Sequence, residues 1–271
     1  MTAQAPLLFE VRDGVALLTI NRPAARNALS PETICRLADG FTAAADDPKV
    51  RVVILTGAGD KAFCAGGDLA LTLPLMSGER APQDAWDRRV LEDRQVMQRS
   101  ALRDWAFDKP VIAAINGHCM AGGMETALAC DIRIAAKGAL FALPEVKRGL
   151  IPFAGALARL PRWIPHGVAM EMLMTGDAID CDRALSVGLL NHVVPAEALM
   201  DTAWDMARRV ADNGPFAVQT VKRVARAAIG RPIDEGFALE EAAKEAVMAT
   251  EDAREGPRAF MEKRNAKFIG E

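Results

Sequence analysis

The chain opens on two apolar runs. Leu7 to Arg12 and Val15 to Ile20 flank Asp13-Gly14, a two-residue turn signal, so the pattern predicts a β-hairpin. Asn21-Arg22-Pro23 breaks the second strand. Ser30-Pro31-Glu32 then reads as a helix start: serine caps, proline takes the first position, and an acid faces the positive end of the peptide dipoles. That helix is expected to end near Asp46-Asp47-Pro48. Val50 to Leu55 reads as a buried strand and Thr56 to Gly67 as a glycine-rich loop. Residues 71–107 carry mixed charge and no clean strand; a mobile loop is expected there, then a helix from about Asp84 to Ala106, stopped by Lys109-Pro110. Val111 to Ile115 is a further buried strand, turned by Asn116-Gly117. Gly122 to Cys130 reads as a short apolar helix, and Asp131 to Ala136 and Leu140-Phe141 as strands.

After Pro144 the pattern is mostly helical, punctuated by Pro161, Pro165, Gly176, Gly188 and Pro195. His192-Val193-Val194 is the last strand candidate, and from about Ala196 onward only helices are expected. The layout is a mixed α/β core over residues 1–195 with a helical C-terminal region over 196–271. Helices of that kind cannot bury their apolar stripes alone, so the region is expected to dock on the core or on a neighbouring subunit.

Composition narrows the class. Of 271 residues, 51% are hydrophobic and 25% charged, which excludes a disordered or fibrous chain. The net charge of −3 argues against a nucleic-acid binder working by bulk charge. Five cysteines, an odd number with no Cys-x-x-Cys pair, predict free thiols and a cytoplasmic location. Met1 to Pro6 lack the basic region and apolar run of a signal peptide, and no apolar stretch approaches the ~18 residues of a membrane span, so no membrane partner is expected. His118, His166 and His192 lie far apart, so no zinc or other metal site is expected.

Three constellations carry chemistry. Gly57-Ala58-Gly59-Asp60-Lys61-Ala62 fits a G-x-G-x-x-A dinucleotide pattern. That pattern needs a helix to begin there, however, and Gly66-Gly67 shortly afterwards disfavours one. Gly122-Gly123, between a strand and an apolar helix, frees backbone N–H groups at a helix start; with a second N–H from Ala65-Gly66-Gly67 it would form an oxyanion hole. Glu125 sits in an otherwise apolar helix, where an unpartnered acid is costly. Glu145, after Pro144, reads equally as an acid of a helix's first turn. Two carboxylates beside an oxyanion hole suit proton transfer next to a carbonyl, and their repulsion is expected to raise one pKa.

These residues carry a resemblance to the crotonase (enoyl-CoA hydratase/isomerase) superfamily that covers nearly the whole chain. Its landmarks are Asn21-Arg22-Pro23 through Asn27-Ala28-Leu29, Ala62 to Leu69, Ala113 to Gly117, Ala121 to Glu125, Cys130 to Arg133, Phe141 to Glu145, Gly149 to Pro152, Arg159 to Pro161, and Gly256 to Arg264. The resemblance implies an α/β, crotonase-like spiral of repeated strand–strand–helix units with a helical C-terminal region. A homotrimer, or a hexamer built as a dimer of trimers, follows from it too. It implies a coenzyme-A thioester substrate, no separate cofactor, and catalysis by Glu125 and Glu145, with the thioester oxygen on the N–H groups of Ala65 and Gly122. By the same resemblance, substrate contacts fall on Ala24, Arg26, Ala62, Ala65, Gly66, Gly67, Asp68, Leu69, Met120, Gly122, Phe153, Phe260 and Lys263, the last from a neighbouring subunit. Arg22 and Lys61 are further candidates for coenzyme-A phosphates, and Met76, Met97, Met120 and Met124 for an acyl pocket.

The retained glutamate pair favours hydration of a 2-enoyl-CoA over isomerisation, for which the family generally keeps one acid. Naphthoate-forming members rely on a tyrosine, and the chain has none. The rivals are a dehydratase of a specific hydroxyacyl-CoA, an isomerase, and a non-catalytic acyl-CoA-binding scaffold. Phe153 and Ala156 stand where many hydratases have glycine, and Phe153 is expected to narrow the pocket near Glu145.

Overall fold

The computed structural model describes residues 5–270; the reading of Met1 to Gln4 lies outside the described residues. The hairpin forms as the pattern predicts. Strands β1 (Leu7–Arg12) and β2 (Val15–Ile20) pair antiparallel. Asp13 and Gly14 between them both sit at positive φ, 50° and 76°, the geometry whose twist matches the two strands. Helix α1 (Pro31–Asp46) starts where the cap predicts: Ser30 Oγ accepts the Thr33 N–H.

The chain then steps repeatedly between two sheets. β3 (Val52–Gly57) joins the large sheet, two residues later than the apolar pattern suggests, and β4 (Ala62–Cys64) the small one. After α2 (Thr72–Ser77), α3 (Ala85–Glu92) and α4 (Arg94–Ser100), the step recurs: β5 (Val111–Ile115) is in the large sheet, β6 (His118–Met120) in the small, and α5 (Gly122–Ala129) follows. It recurs once more with β7 (Ile132–Ala136) and β8 (Leu140–Ala142), followed by a 3-10 turn at Pro144–Arg148, α6 (Ala156–Trp163) and α7 (His166–Thr175). β9 (Ile179–Asp180), α8 (Cys181–Ser186) and β10 (His192–Val194) complete the sheets. The large sheet has the order β1-β2-β3-β5-β7-β10 and is parallel except at β1; the small one runs β4-β6-β8-β9. The repeated step is the strand–strand–helix spiral that the resemblance implies.

Both faces of the large sheet are buried at its central strands β3 and β5, which is why these read as continuous apolar runs. Val53, Leu55, Ala113 and Ile115 face α1 and the small sheet. Val52, Ile54, Ile112 and Ala114 face the small residues Ala203, Ala207 and Ala211 of α9 (Leu199–Ala211). Three further helices follow: α10 (Pro215–Ala228), α11 (Ile233–Met248) and α12 (Asp252–Met261). α10 is tied to the core by Lys222 Nζ, which donates to the Asp131 carboxylate at 2.8 Å and to the Lys109 carbonyl at 2.6 Å.

Three expectations need correction. The helix expected from Asp84 to Ala106 is two helices. Asp84 caps α3, but Asp93 leaves the helical region (φ −102°, ψ 94°) and its carboxylate accepts the Gln95 N–H, restarting the chain as α4. A short acidic side chain that bonds nearby backbone competes with helix continuation. The helix also stops at Ser100, because Leu102 (φ 47°) and Asp104 (φ 50°) adopt left-handed conformations. Secondly, the segment expected as a mobile loop contains α2. The Asp68 carboxylate accepts the N–H groups of Ala70 and Leu71, and its carbonyl accepts that of Thr72. The glycine-rich loop of 56–67 likewise contains β4 where a dinucleotide site requires a helix.

Candidate active site

The N-terminus of α5 is pressed against the loop after β4, and glycines make the approach possible. A Cβ on Gly123 would lie 2.4 Å from the Cys64 carbonyl oxygen, and one on Gly66 would lie 2.5 Å from Ala121 Cβ. Ala121 itself turns the chain into α5 at φ 50°, ψ −128°, a strained conformation for a non-glycine residue. The contact opens a cavity of about 380 Å³, lined by Ala65, Gly67, Leu69, Met120, Ala121, Gly122, Glu125, Glu145 and Phe153, with Leu29, Ile34, Thr72, Leu73, Met76, Met97, Ser100 and Ala101.

Both glutamates meet in it. Glu125 is 3% exposed on α5. Its Oε1 accepts two backbone N–H groups, from Ala154 at 2.7 Å and Ala156 at 3.1 Å. Burial pushes the Glu125 pKa up, while those N–H groups and the Arg159 charge oppose the shift. Glu145, on the turn after β8, has a buried Oε2 with no hydrogen-bond partner. Its carboxyl is pushed up to about 7, first by burial and less by the neighbouring Glu125 charge. Repulsion between the pair therefore contributes, but desolvation is the larger cause for both acids.

One assignment changes. The Ala65 N–H donates to the Arg26 carbonyl at 3.1 Å, so it is not available to a ligand. Gly66 at φ 95° turns the loop, and the next N–H but one, that of Gly67, has no acceptor among the described residues. Gly67 N lies 3.6 Å from the position a Cβ on Gly122 would take, so the Gly67 and Gly122 amides are neighbours at the cavity wall. Nothing in Ala65-Gly66-Gly67 as letters separates the two amides; the turn at Gly66 does.

The remaining predicted residues divide. Ala24, Arg26, Ala62 and Lys61 line a second cavity of about 270 Å³, beside buried Asn27, whose Nδ2 donates to the Ala58 and Ala62 carbonyls. Gly66 lines neither cavity and serves the turn. Asp68 is engaged with Arg22 at 2.9 Å and with the start of α2, which also removes Arg22 as a free cation for phosphate. Met76, Met97 and Met120 line the main cavity, whereas Met124 is fully buried in the core. Phe153 lines it at 46% exposure. Phe260 and Lys263 line neither cavity; Phe260 is 82% exposed on α12. The residues missed from the sequence are the amide donors Ala154 and Ala156 and, apart from Met76 and Met97, the cavity wall from α1, α2 and α4. Main-chain donors and long-range packing leave no local signature.

The family model for enoyl-CoA hydratase/isomerase matches residues 10–271, and the chain belongs to that family. It is 40% identical over 263 residues to crotonyl-CoA hydratase of Syntrophomonas wolfei, covering 97% of each chain. It is 38% identical over 257 residues to carnitinyl-CoA dehydratase of Citrobacter koseri, covering 93% of this chain and 94% of the other. A crystal structure of enoyl-CoA hydratase from Mycobacterium tuberculosis H37Rv superimposes with a TM-score of 0.87 at 37% identity, covering 99% of this chain and all of that one.

Proposed function

We propose that Glu125 and Glu145 act together on a 2-enoyl-CoA whose thioester oxygen is held by the N–H groups of Gly67 and Gly122. The chain is an enoyl-CoA hydratase, a hydro-lyase that adds water reversibly across the C2–C3 double bond. The observation that carries the residue assignment is the pair of carboxyls in one cavity with different environments. Glu125 has one oxygen held by two amides, which leaves Oε2 to accept the proton of the attacking water. Glu145, holding its proton to about pH 7, delivers it to C2.

In the hydration direction the water O–H bond breaks toward Glu125 as the C3–O bond forms. The C2–C3 π electrons move onto the thioester oxygen, where Gly67, Gly122 and the α5 dipole stabilise the negative charge. The enolate then collapses and takes the Glu145 proton at C2. Dehydration of a hydroxyacyl-CoA is the same path reversed. Arg26 and Lys61 are proposed to meet the coenzyme-A phosphates, with Phe260 and Lys263 completing that site from a neighbouring subunit. Exposed Val221, Phe237, Met248 and Phe260 on α10–α12 support homotrimers, paired into hexamers, as the assembly that covers the 196–271 region. Five buried, unpaired cysteines support a cytoplasmic location. The test is hydration of crotonyl-CoA, followed by loss of the conjugated enoyl absorbance, in the wild type and in Glu125→Gln and Glu145→Gln. Turnover abolished by either substitution supports the reading; no turnover on enoyl-CoAs of any length, by folded protein that binds coenzyme A, overturns it.

A further inference from the structure

The loop that holds Glu125, residues 153–156, is itself held from the far side by two guanidinium groups. Arg159 on α6 lies beneath it: Nη1 donates to the Ala154 carbonyl at 3.3 Å and to the Ala101 carbonyl at 3.2 Å, and Nη2 donates to the Leu102 carbonyl at 2.6 Å. Arg103 reaches back the other way, donating from Nη1 to the Phe153 carbonyl at 2.6 Å. Gly155 leaves room for this arrangement: a Cβ there would meet Arg159 Nη1 at 2.6 Å, and its φ is 123°. The segment supplying the partner carbonyls is the one that leaves α4 through the left-handed Leu102 and Asp104. Strain of that kind persists only where the surroundings over-determine it.

Both segments also face the substrate. Ser100 and Ala101 line one wall of the main cavity, and Phe153 and Ala154 line another. The guanidinium of Arg159 therefore joins the wall of the acyl cavity to the amides that orient the catalytic carboxylate. We infer that Arg159, assisted by Arg103, is a positioning residue that couples the fit of the acyl chain to the orientation of Glu125. Acyl groups that press on Ala101 and Phe153 keep the 153–156 loop in register with Glu125 Oε1. Groups too short to reach them leave the loop held by the protein alone. Selectivity among acyl chains then shows in kcat as well as in KM. The inference rests on Glu125 being the residue that activates water.

The experiment measures kcat and KM for crotonyl-CoA and 2-octenoyl-CoA in the wild type, Arg159→Gln, Arg103→Ala, Glu125→Gln and the double variant Arg103→Ala/Glu125→Gln, with melting temperatures alongside. Misplacing a catalytic group by about an ångström costs on the order of 100-fold, so Arg159→Gln is expected to lose roughly that in kcat with KM little changed. Arg103→Ala, which removes one charge-assisted bond from a half-exposed side chain, is expected to lose about tenfold in kcat with its melting temperature kept. The double variant is expected to be no slower than Glu125→Gln alone, because Arg103 acts through that carboxylate. Additive losses in the double variant, or Arg103→Ala with wild-type kcat on both substrates, overturn the inference. If Arg159→Gln does not fold, Arg103→Ala and the cycle decide alone. An inactive wild type sinks the hydratase reading itself and is distinguishable from failure of the coupling.

Discussion

The two carboxyl-bearing walls of the cavity are built on opposite principles. On the α5 wall, Glu125 is almost fully buried, yet two amides and a nearby guanidinium stabilise its charged form. On the wall after β8, Glu145 keeps one buried oxygen with no partner, and burial favours its neutral form. Equal residue types thus acquire unequal affinities for a proton because loop amides reach the buried carboxylate of the first and no donor reaches the buried oxygen of the second among the described residues. The lesson is that a base and an acid can be made from two glutamates by distributing the donors and charge around them unequally.

The comparison breaks most severely at Glu125. Glu125→Gln is expected to lower kcat for crotonyl-CoA hydration by about 10³-fold, within the range typical of general base loss. Its melting temperature should hold, since the amide oxygen still accepts from Ala154 and Ala156. Glu145→Gln is expected to cost about 10²-fold, and its stability moves with pH in a defined direction. The Glu145 carboxyl titrates near 7 in the folded chain against an ordinary value of 4.5, so its stabilising contribution is complete below about 4.5 and is lost as pH rises through 7. Melting curves should therefore coincide for the two proteins near pH 4.5 and lie higher for Glu145→Gln at pH 8. If the variant melts lower at pH 8, the unpartnered oxygen is not unpartnered in solution.

The pH profile sharpens the same contrast. In the wild type, hydration kcat/KM should fall about tenfold per unit above pH 7, as the proton destined for C2 is lost. That limb should be absent from the residual activity of Glu145→Gln. The smallest expected effect is at the oxyanion wall. A Cβ on Gly67 meets nothing within 4 Å, so Gly67→Ala should stay within about twofold of wild-type kcat. Gly123→Ala, by contrast, places a methyl against the Cys64 carbonyl and should yield little folded protein. Full activity in Gly123→Ala would show that the close approach of α5 to the β4 loop is dispensable.

Much of this was legible in the letters of the chain. The Asp13-Gly14 hairpin, the Ser30 cap, the apolar strands and the glutamates at 125 and 145 are local or motif-borne signals, and each lands where the pattern puts it. The elements that were not legible depend on partners far away. Asp93 interrupts a helix whose periodicity continues through it. Three-residue strands β4 and β6 exist only because they pair within the small sheet, β4 with β6 and β6 also with β8. The amide of Ala65 is consumed by the carbonyl of Arg26, a bond that no reading of Ala65-Gly66-Gly67 predicts. Phe153, expected to narrow the pocket near Glu145, does line that cavity, and the amides beyond it, which carry no signal in the letters, reach Glu125.

That last arrangement has a consequence for how the sequence is free to drift. Because Glu125 is gripped by main-chain amides, the identities of residues 153, 154 and 156 carry no part of the grip. A phenylalanine stands at 153 and alanines at 154 and 156, and both bonds to Glu125 form through main-chain atoms alone. Selection can rewrite the lining of the acyl mouth one side chain at a time while the water-activating carboxylate is left alone. Gly155, whose missing side chain makes room for Arg159, and Ala156, fully buried in the core, are denied that freedom.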